Sequence, residues 1–278
     1  MPQRVLIAGC GDVGSALGVL LAEQGLTVWG IRRDITKLPA AIQGISADLG
    51  DKDTLSNLPE IDVLIYCAAA SGRTEEAYQR AYVDGVKHVV AALPKPPKTL
   101  LFTSSTSVYG QADSTTVDEQ SPAEPRTATG KIMRTAEQQV QALGGTAVRF
   151  SGIYGPGRGF LLERVKQGIS APLEPVSFTN RIHRDDCAGV LAHLVKLATQ
   201  GERLAPVYLA SDDQPAPLAE VMDWLADELN VTITERSMSR GTGSKRCNNG
   251  FLRASGYQFI YPSYREGYRA LLAAAPPA

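Results

Sequence analysis

Val5-Leu6-Ile7-Ala8-Gly9-Cys10-Gly11-Asp12-Val13-Gly14 decides the fold. Read in order, it is an apolar β run, a G-x-G-x-x-G turn and the opening of an amphipathic helix carrying Ala16, Leu17, Leu20 and Leu21. The glycine pattern alone is common in loops; between a strand and a helix it is a dinucleotide fingerprint. Gly9 lets the chain turn sharply, Gly11 lets backbone approach a pyrophosphate, and Gly14 lets helix and strand pack closely. Asp12 and Val13 open the helix, whose N-terminus faces the anion. The alternative reading is a glycine-rich surface turn.

Working outward, apolar runs alternate with helical patterns. Strands are predicted at Leu26–Ile31, Ile45–Ala47, Asp62–Ala68, Thr99–Ser104, Thr146–Phe150 and Pro206–Ala210. Helices are predicted at Thr74–Leu93, stopped by Pro94, and at Gly130–Leu143, Asp185–Thr199 and Leu218–Leu229. Such alternation builds a parallel sheet covered on both faces, with strand order 3-2-1-4-5-6-7. Residues 1–152 form the dinucleotide-binding domain. Residues 153–278 are a mixed region: one helix and one strand return to the sheet, and the rest, including a polar stretch near Arg240–Gly250, is a smaller substrate-binding lobe. No clean linker separates them, so an intimate cleft is expected.

Composition excludes several classes. The chain has 278 residues, 44% apolar and 21% charged, as in an ordinary globular protein. A formal charge of −1 gives no electrostatic argument for nucleic acid or an anionic membrane. No 18-residue apolar span is present, and the N-terminus enters a strand directly, without a signal-peptide pattern. Cys10, Cys67, Cys187 and Cys247 show no paired spacing and read as reduced core residues of a cytoplasmic protein. No His, Cys and carboxylate spacing suggests a metal site.

The second strand chooses the dinucleotide. An acid normally stands at its end, about twenty residues after the glycines, to accept the ribose 2′-hydroxyl of NAD. Here that place holds Arg32-Arg33. A guanidinium pairs with a 2′-phosphate where a carboxylate would repel it, so NADP(H) is expected over NAD(H). Asp34 lies just beyond and starts the next helix. The alternative is two surface arginines.

These motifs together resemble the extended short-chain dehydrogenase/reductase superfamily, the group of NAD(P)-dependent sugar epimerases and dehydratases. The resemblance covers nearly the whole chain. It implies a Rossmann-type, doubly wound α/β fold with a smaller C-terminal lobe. Asp48-Leu49 resembles the pair that contacts adenine, and Cys67-Ala68-Ala69 the segment that lines the cofactor. Phe102-Thr-Ser-Ser105-Thr-Ser-Val-Tyr109-Gly110 resembles the motif whose serine, here Ser105, bonds the reacting substrate oxygen. Arg149-Phe-Ser-Gly-Ile-Tyr154-Gly-Pro-Gly157-Arg158 resembles the segment bordering nicotinamide and substrate. Arg181-Ile-His183-Arg-Asp185-Asp186 resembles the stretch leading into the next helix.

One departure stands out. The family's catalytic tyrosine precedes its lysine by four residues on one helical face. Lys131, expected to hold the nicotinamide ribose hydroxyls, fits the lysine; the position four before it is Thr127, which donates a hydrogen bond but does not ionise usefully near neutral pH. This is the pattern of the superfamily's atypical branch. Tyr154 is the better-placed stand-in acid; Tyr109 mainly packs, and Lys131 becomes a base only if desolvated. Ser105 is a substrate contact, or a serine satisfied by local backbone. His183 is read as a helix cap, and Asp118-Glu119 as a solvated loop pair. Two functions remain open: an NADP(H)-dependent oxidoreductase, epimerase or dehydratase acting on a hydroxyl or carbonyl small molecule such as a nucleotide sugar, or a non-catalytic NADP(H)-binding sensor. The helix at Gly130–Leu143 shows one apolar stripe (Ile132, Ala136, Val140, Leu143), with Arg134, Glu137, Gln138 and Gln141 elsewhere. That stripe serves its own sheet and leaves monomer and homodimer both open.

Overall fold

The computed structural model describes residues 3–237 and 243–274. Residues 238–242, part of the polar stretch expected near Arg240–Gly250, lie outside the described residues, as do 1–2 and 275–278. The chain divides into two compact units, Met1–Val108, Ala123–Arg149 and Cys187–Tyr208 against Tyr109–Pro122, Phe150–Asp186 and Leu209–Ala278.

A seven-stranded sheet dominates the first unit. Its strands are β1 (Arg4–Ala8), β2 (Thr27–Arg32), β3 (Gln43–Ser46), β4 (Val63–Tyr66), β5 (Thr99–Ser105), β6 (Thr146–Phe150) and β7 (Val207–Ala210). The spatial order is 7-6-5-4-1-2-3, which is the order expected. β1 pairs in parallel with β2 and β4, and β2 with β3 and β4 with β5 likewise. Along β7, Pro206 O and Ala210 O accept from Ala147 N and Ser151 N, an in-step ladder that continues the parallel sense. Central strands of a parallel sheet are covered on both faces and so read as unbroken apolar runs. Val5–Ala8, Leu64–Tyr66 and Leu101–Phe102 are accordingly sealed from solvent.

Helix α1 (Asp12–Glu23) buries Val13, Gly14, Leu17, Gly18 and Leu21. Helix α2 follows β4 and is composite: Glu75–Tyr78, a π-turn at Gln79–Asp84, then Gly85–Ala92. Thr74 caps it through the Ala77 N–H. Helix α3 (Ala128–Ala142) departs from its expected stripe. It buries Met133, Ala136, Glu137 and Val140, while Leu143 is exposed. Glu137 faces the sheet because Arg149 on β6 reaches it with two bonds of 2.8 Å, and Ser104 on β5 donates at 2.6 Å. Helix α4 (Arg184–Thr199) carries the chain from the second unit back to the first.

The second unit packs the helices Leu218–Leu229 and Tyr264–Ala274 with Phe160–Lys166 around Tyr154, Val165, Met222, Leu225, Tyr264 and Tyr268. Short strand pairs stitch its segments: Gly152–Tyr154 to Arg181–His183, and Asp113–Val117 to Ser244–Cys247. The latter pairing is why Tyr109–Pro122, expected within the first 152 residues, belongs to this unit.

Candidate functional site

Parallel strands present their carboxyl ends along one edge of a sheet, and ligands of such folds bind there. The first unit gathers most of the residues singled out in the sequence at that edge: the glycine turn after β1, Arg32 and Arg33 at β2, Asp48-Leu49 after β3, Cys67-Ala68-Ala69 after β4, and Ser105 ending β5. Gly9 adopts φ +86°, and a Cβ there would lie 2.5 Å from Ala68 Cα, so both strand ends meet only because Gly9 has no side chain. Its N–H and that of Cys10 bond Ile31 O, tying the turn to β2. Gly14 touches β1, where an added Cβ would stand 3.1 Å from Ile7.

Gly11 differs from both. A Cβ at Gly11 would meet no neighbour nearer than 4.0 Å, and no side chain caps the first turn of α1. The turn therefore offers open space and the positive end of a twelve-residue helix, at which Asp12, Val13 and Gly14 form the first turn. These residues fit the pyrophosphate of a dinucleotide. Cys10 beneath them is sealed, and burial pushes its thiol up, so it is packing and not a nucleophile.

At the end of β2, Arg32 is half-buried, with Nη1 3.4 Å from Lys37 O, and Arg33 is exposed. Asp34 caps the short turn Ile35–Lys37, as its position predicts. Its carboxylate takes hydrogen bonds from Thr36 and pairs with Lys37 at 3.2 Å, which holds its pKa low. Asp48 is gripped from the side: Oδ1 accepts from Gly50 N at 2.9 Å and Oδ2 pairs with Arg80 at 3.0 Å. Burial opposes its ionisation, but these two partners outweigh it and lower the pKa.

Ser105 Oγ accepts from Ser107 N at 3.1 Å, which leaves its hydroxyl hydrogen to donate. Both readings of this serine are thus compatible with one geometry. Thr127 is the N-cap of α3, with Oγ1 accepting from Gly130 N at 3.1 Å, and its carbonyl accepts from Lys131 N. Lys131 itself is exposed in the first turn.

Tyr154 is a correction. It lies in the core of the second unit, its ring centroid 4.7 Å from that of the tilted Tyr268 ring, with its hydroxyl 3.5 Å from Ser263 O and Gly267 packed against it so closely that any Cβ would collide. Burial, then the nearby Asp212, push the phenol well above its ordinary value. Such a group holds its proton and does not replace the missing acid. Tyr109 donates to Asp118 O at 2.6 Å, and His183 Nδ1 accepts from Asp185 N at 3.2 Å, the packing and capping roles expected. Asp118 and Glu119 are not a solvated pair: Asp118 accepts from Gln120 N and Ser121 N, and Glu119 from Leu209 N at 2.6 Å.

Sequence reading missed three polar groups. Glu137 with Arg149 and Ser104 is one. Asp186 is another, sealed and accepting from Ile260 N, Tyr261 N and the Tyr257 hydroxyl. Asp212 is the third: burial pushes its carboxyl up to about 8, against the pull of Arg181. Asp186, Arg149 and Ser104 lie within motifs quoted above, but no motif shows their burial, since each group is defined by partners far along the chain.

The NAD dependent epimerase/dehydratase family model matches residues 5–173, more than half of the chain. The chain belongs to that family. A solved structure from Methylobacillus flagellatus, provisionally assigned to the same family, is 36% identical, covers 99% of both chains and superposes with a TM-score of 0.85. Protein YeeZ of Escherichia coli K12 is 28% identical over 94% of this chain and 97% of its own. Human epimerase family protein SDR39U1, solved with NADPH, shares the fold at 19% identity, with 98% and 100% of the two chains covered and a TM-score of 0.78. The Rossmann-type fold and a nicotinamide dinucleotide as the family's cofactor follow, and the superfamily resemblance read from the motifs holds. Among the described residues, no helix is long and apolar enough to cross a membrane, and no cluster of His, Cys, Asp or Glu is arranged to hold a metal ion.

Proposed function

We propose that this protein is an NADP(H)-dependent oxidoreductase of the epimerase/dehydratase kind, working in the reducing cytoplasm on a hydroxyl- or carbonyl-bearing small molecule such as a nucleotide sugar. The observation that carries the reading is the glycine cradle, open at Gly11, at the start of α1, next to a second strand that ends in Arg32 and Arg33 instead of an acid. The bound cofactor supplies or accepts hydride. Gly9, Gly11, Asp12, Val13 and Gly14 hold its pyrophosphate through backbone, Arg32 and Arg33 take the 2′-phosphate, Asp48 and Leu49 border adenine, and Cys67, Ala68 and Ala69 line the strand edge. Lys131 holds the ribose hydroxyls, and Ser105 donates its free hydrogen to the reacting oxygen. The proton then comes from water, since the Thr127 hydroxyl does not ionise usefully near neutral pH and Tyr154 is sealed.

The threonine at position 127, where the family's tyrosine would stand, favours a second reading, a sensor that binds NADP(H) without turnover. Titration with NADPH and with NADH, followed by energy transfer from Trp29 on β2, tests the first half. Tighter NADPH binding supports the proposal; equal binding overturns the NADP(H) preference, and no binding overturns the whole reading. Turnover of a carbonyl panel with NADPH tests the second half. Wild-type turnover rejects the sensor, whereas activity that appears only in Thr127→Tyr supports it.

A further inference from the structure

Helix α2 changes its hydrogen-bond pattern halfway along. The Gly85 N–H bonds Arg80 O, five residues back, where an α-helix would use Ala81 O. Ala81 O accepts instead from the Tyr66 hydroxyl, at 2.5 Å, from the sealed end of β4. Gly85 admits that hydroxyl, because any Cβ there would collide with it. A side chain from the sheet has therefore taken over one helical carbonyl, and the helix accommodates it with an extra residue in the turn. A π-turn rotates the residues around it and re-aims their side chains, which is why such turns gather at functional sites.

The re-aimed side chains converge on two loops. Arg80 pairs with Asp48 and lies across Gly50, where a Cβ would collide with it. Tyr82 accepts from Ala70 N at 3.3 Å. One turn further on, His88 Nδ1 sits 3.1 Å from Leu49 O. Phe102 on β5 lies under both tyrosine rings, at 6.0 Å from Tyr66 and 6.3 Å from Tyr82. One helix thus grips Asp48–Gly50 and Cys67–Ala70, the two loops that contain the Asp48-Leu49 and Cys67-Ala68-Ala69 segments assigned to the cofactor.

We propose that Tyr66, the π-turn and Tyr82 form a positioning relay that holds the Asp48–Gly50 and Cys67–Ala70 loops in their cofactor-binding form. The relay rests on the cofactor reading above, and neither tyrosine needs to touch the cofactor. Tyr66 sets the turn, the turn aims Arg80 and Tyr82, and these fix backbone that a dinucleotide would lie against.

The test uses the full-length protein with Tyr66→Phe, Tyr82→Phe and, as a stability control, Val89→Ala, which thins the buried face of the same helix without touching either hydroxyl. Amide hydrogen exchange of the cofactor-free protein is read at residues 48–50 and 67–70, and affinity is read by NADPH and NADH titration. Tyr82→Phe is expected to speed exchange at Ala70, and Tyr66→Phe to speed it at both loops. Each should weaken reduced cofactor about 3- to 10-fold, the effect of one neutral hydrogen bond. Val89→Ala should lower the melting temperature and leave affinity unchanged. Three results overturn the relay: Tyr66→Phe leaving loop exchange at the wild-type rate, faster exchange with unchanged affinity, or Val89→Ala weakening affinity as much as the tyrosine variants. If wild type binds neither cofactor, the cofactor reading itself falls and takes the relay's purpose with it, even where the exchange results hold.

Discussion

Arg32 and Arg33 stand at a strand end where one carboxylate would reverse the selectivity, so the choice of dinucleotide is tested at single side chains. Arg32→Ala or Arg33→Ala is expected to weaken NADPH about 10-fold, the low end for a hydrogen bond to a charged group because Arg33 is exposed and Arg32 only half-buried. NADH affinity should not move. Equal loss for both dinucleotides in the titration would mean that the arginines shape the loop instead of reading a phosphate. Thr127 makes a second residue-scale prediction. Thr127→Tyr loses the bond to Gly130 N, and losing an N-cap costs about 1 kcal/mol. The variant should melt below wild type, Thr127→Ser should match wild type, and any activity gained by Thr127→Tyr is then gained despite a looser helix start.

At the scale of elements, α3 shows what a polar residue in a helix conceals. Glu137 reads as solvent-facing when only its neighbours are considered, yet it is sealed between Ser104 on β5 and Arg149 on β6. Removing one partner strands the other charge in the interior, so Glu137→Gln is expected to cost about 3–5 kcal/mol in urea unfolding. A loss under about 1 kcal/mol would mean that water reaches the pair. The same contrast explains what was legible beforehand. Strand order, the glycine turn, Arg32 and Arg33 and the Leu218–Leu229 helix are written in consecutive residues, through period, turn chemistry and charge. The burial of Glu137, the π-turn set by Tyr66 and the enclosure of Tyr154 by Gly267 are each decided by a residue on another element. Tyr154 and Gly267 are the extreme case: the sequence makes one a candidate acid and gives the other no role, and only their contact shows the phenol to be packing.

For the whole molecule, buried carboxyls set how stability depends on pH. Burial pushes Asp212 up to about 8, while in the unfolded chain it titrates near the ordinary value of about 3.9. The folded state therefore binds the extra proton between those values. Asp212 contributes stability that is fully present below about pH 4 and is lost as pH rises through about 8. Compared with Asp212→Asn, wild type should lose stability progressively across that window, which parallel urea titrations at several pH values measure. A constant difference between the two proteins would show Asp212 ionised throughout.

The division into units has a consequence for how the protein is made. The chain changes unit after residues 108, 122, 149, 186 and 208. On the ribosome, β6 emerges long before β7 exists to cover its edge, and the first unit is complete only once Tyr208 has been added. Until then a half-built sheet presents open backbone to every other nascent chain nearby. A chain stopped at residue 149 is accordingly expected to aggregate, and synthesis through Ala210 is the earliest point at which the sheet can close its ladder.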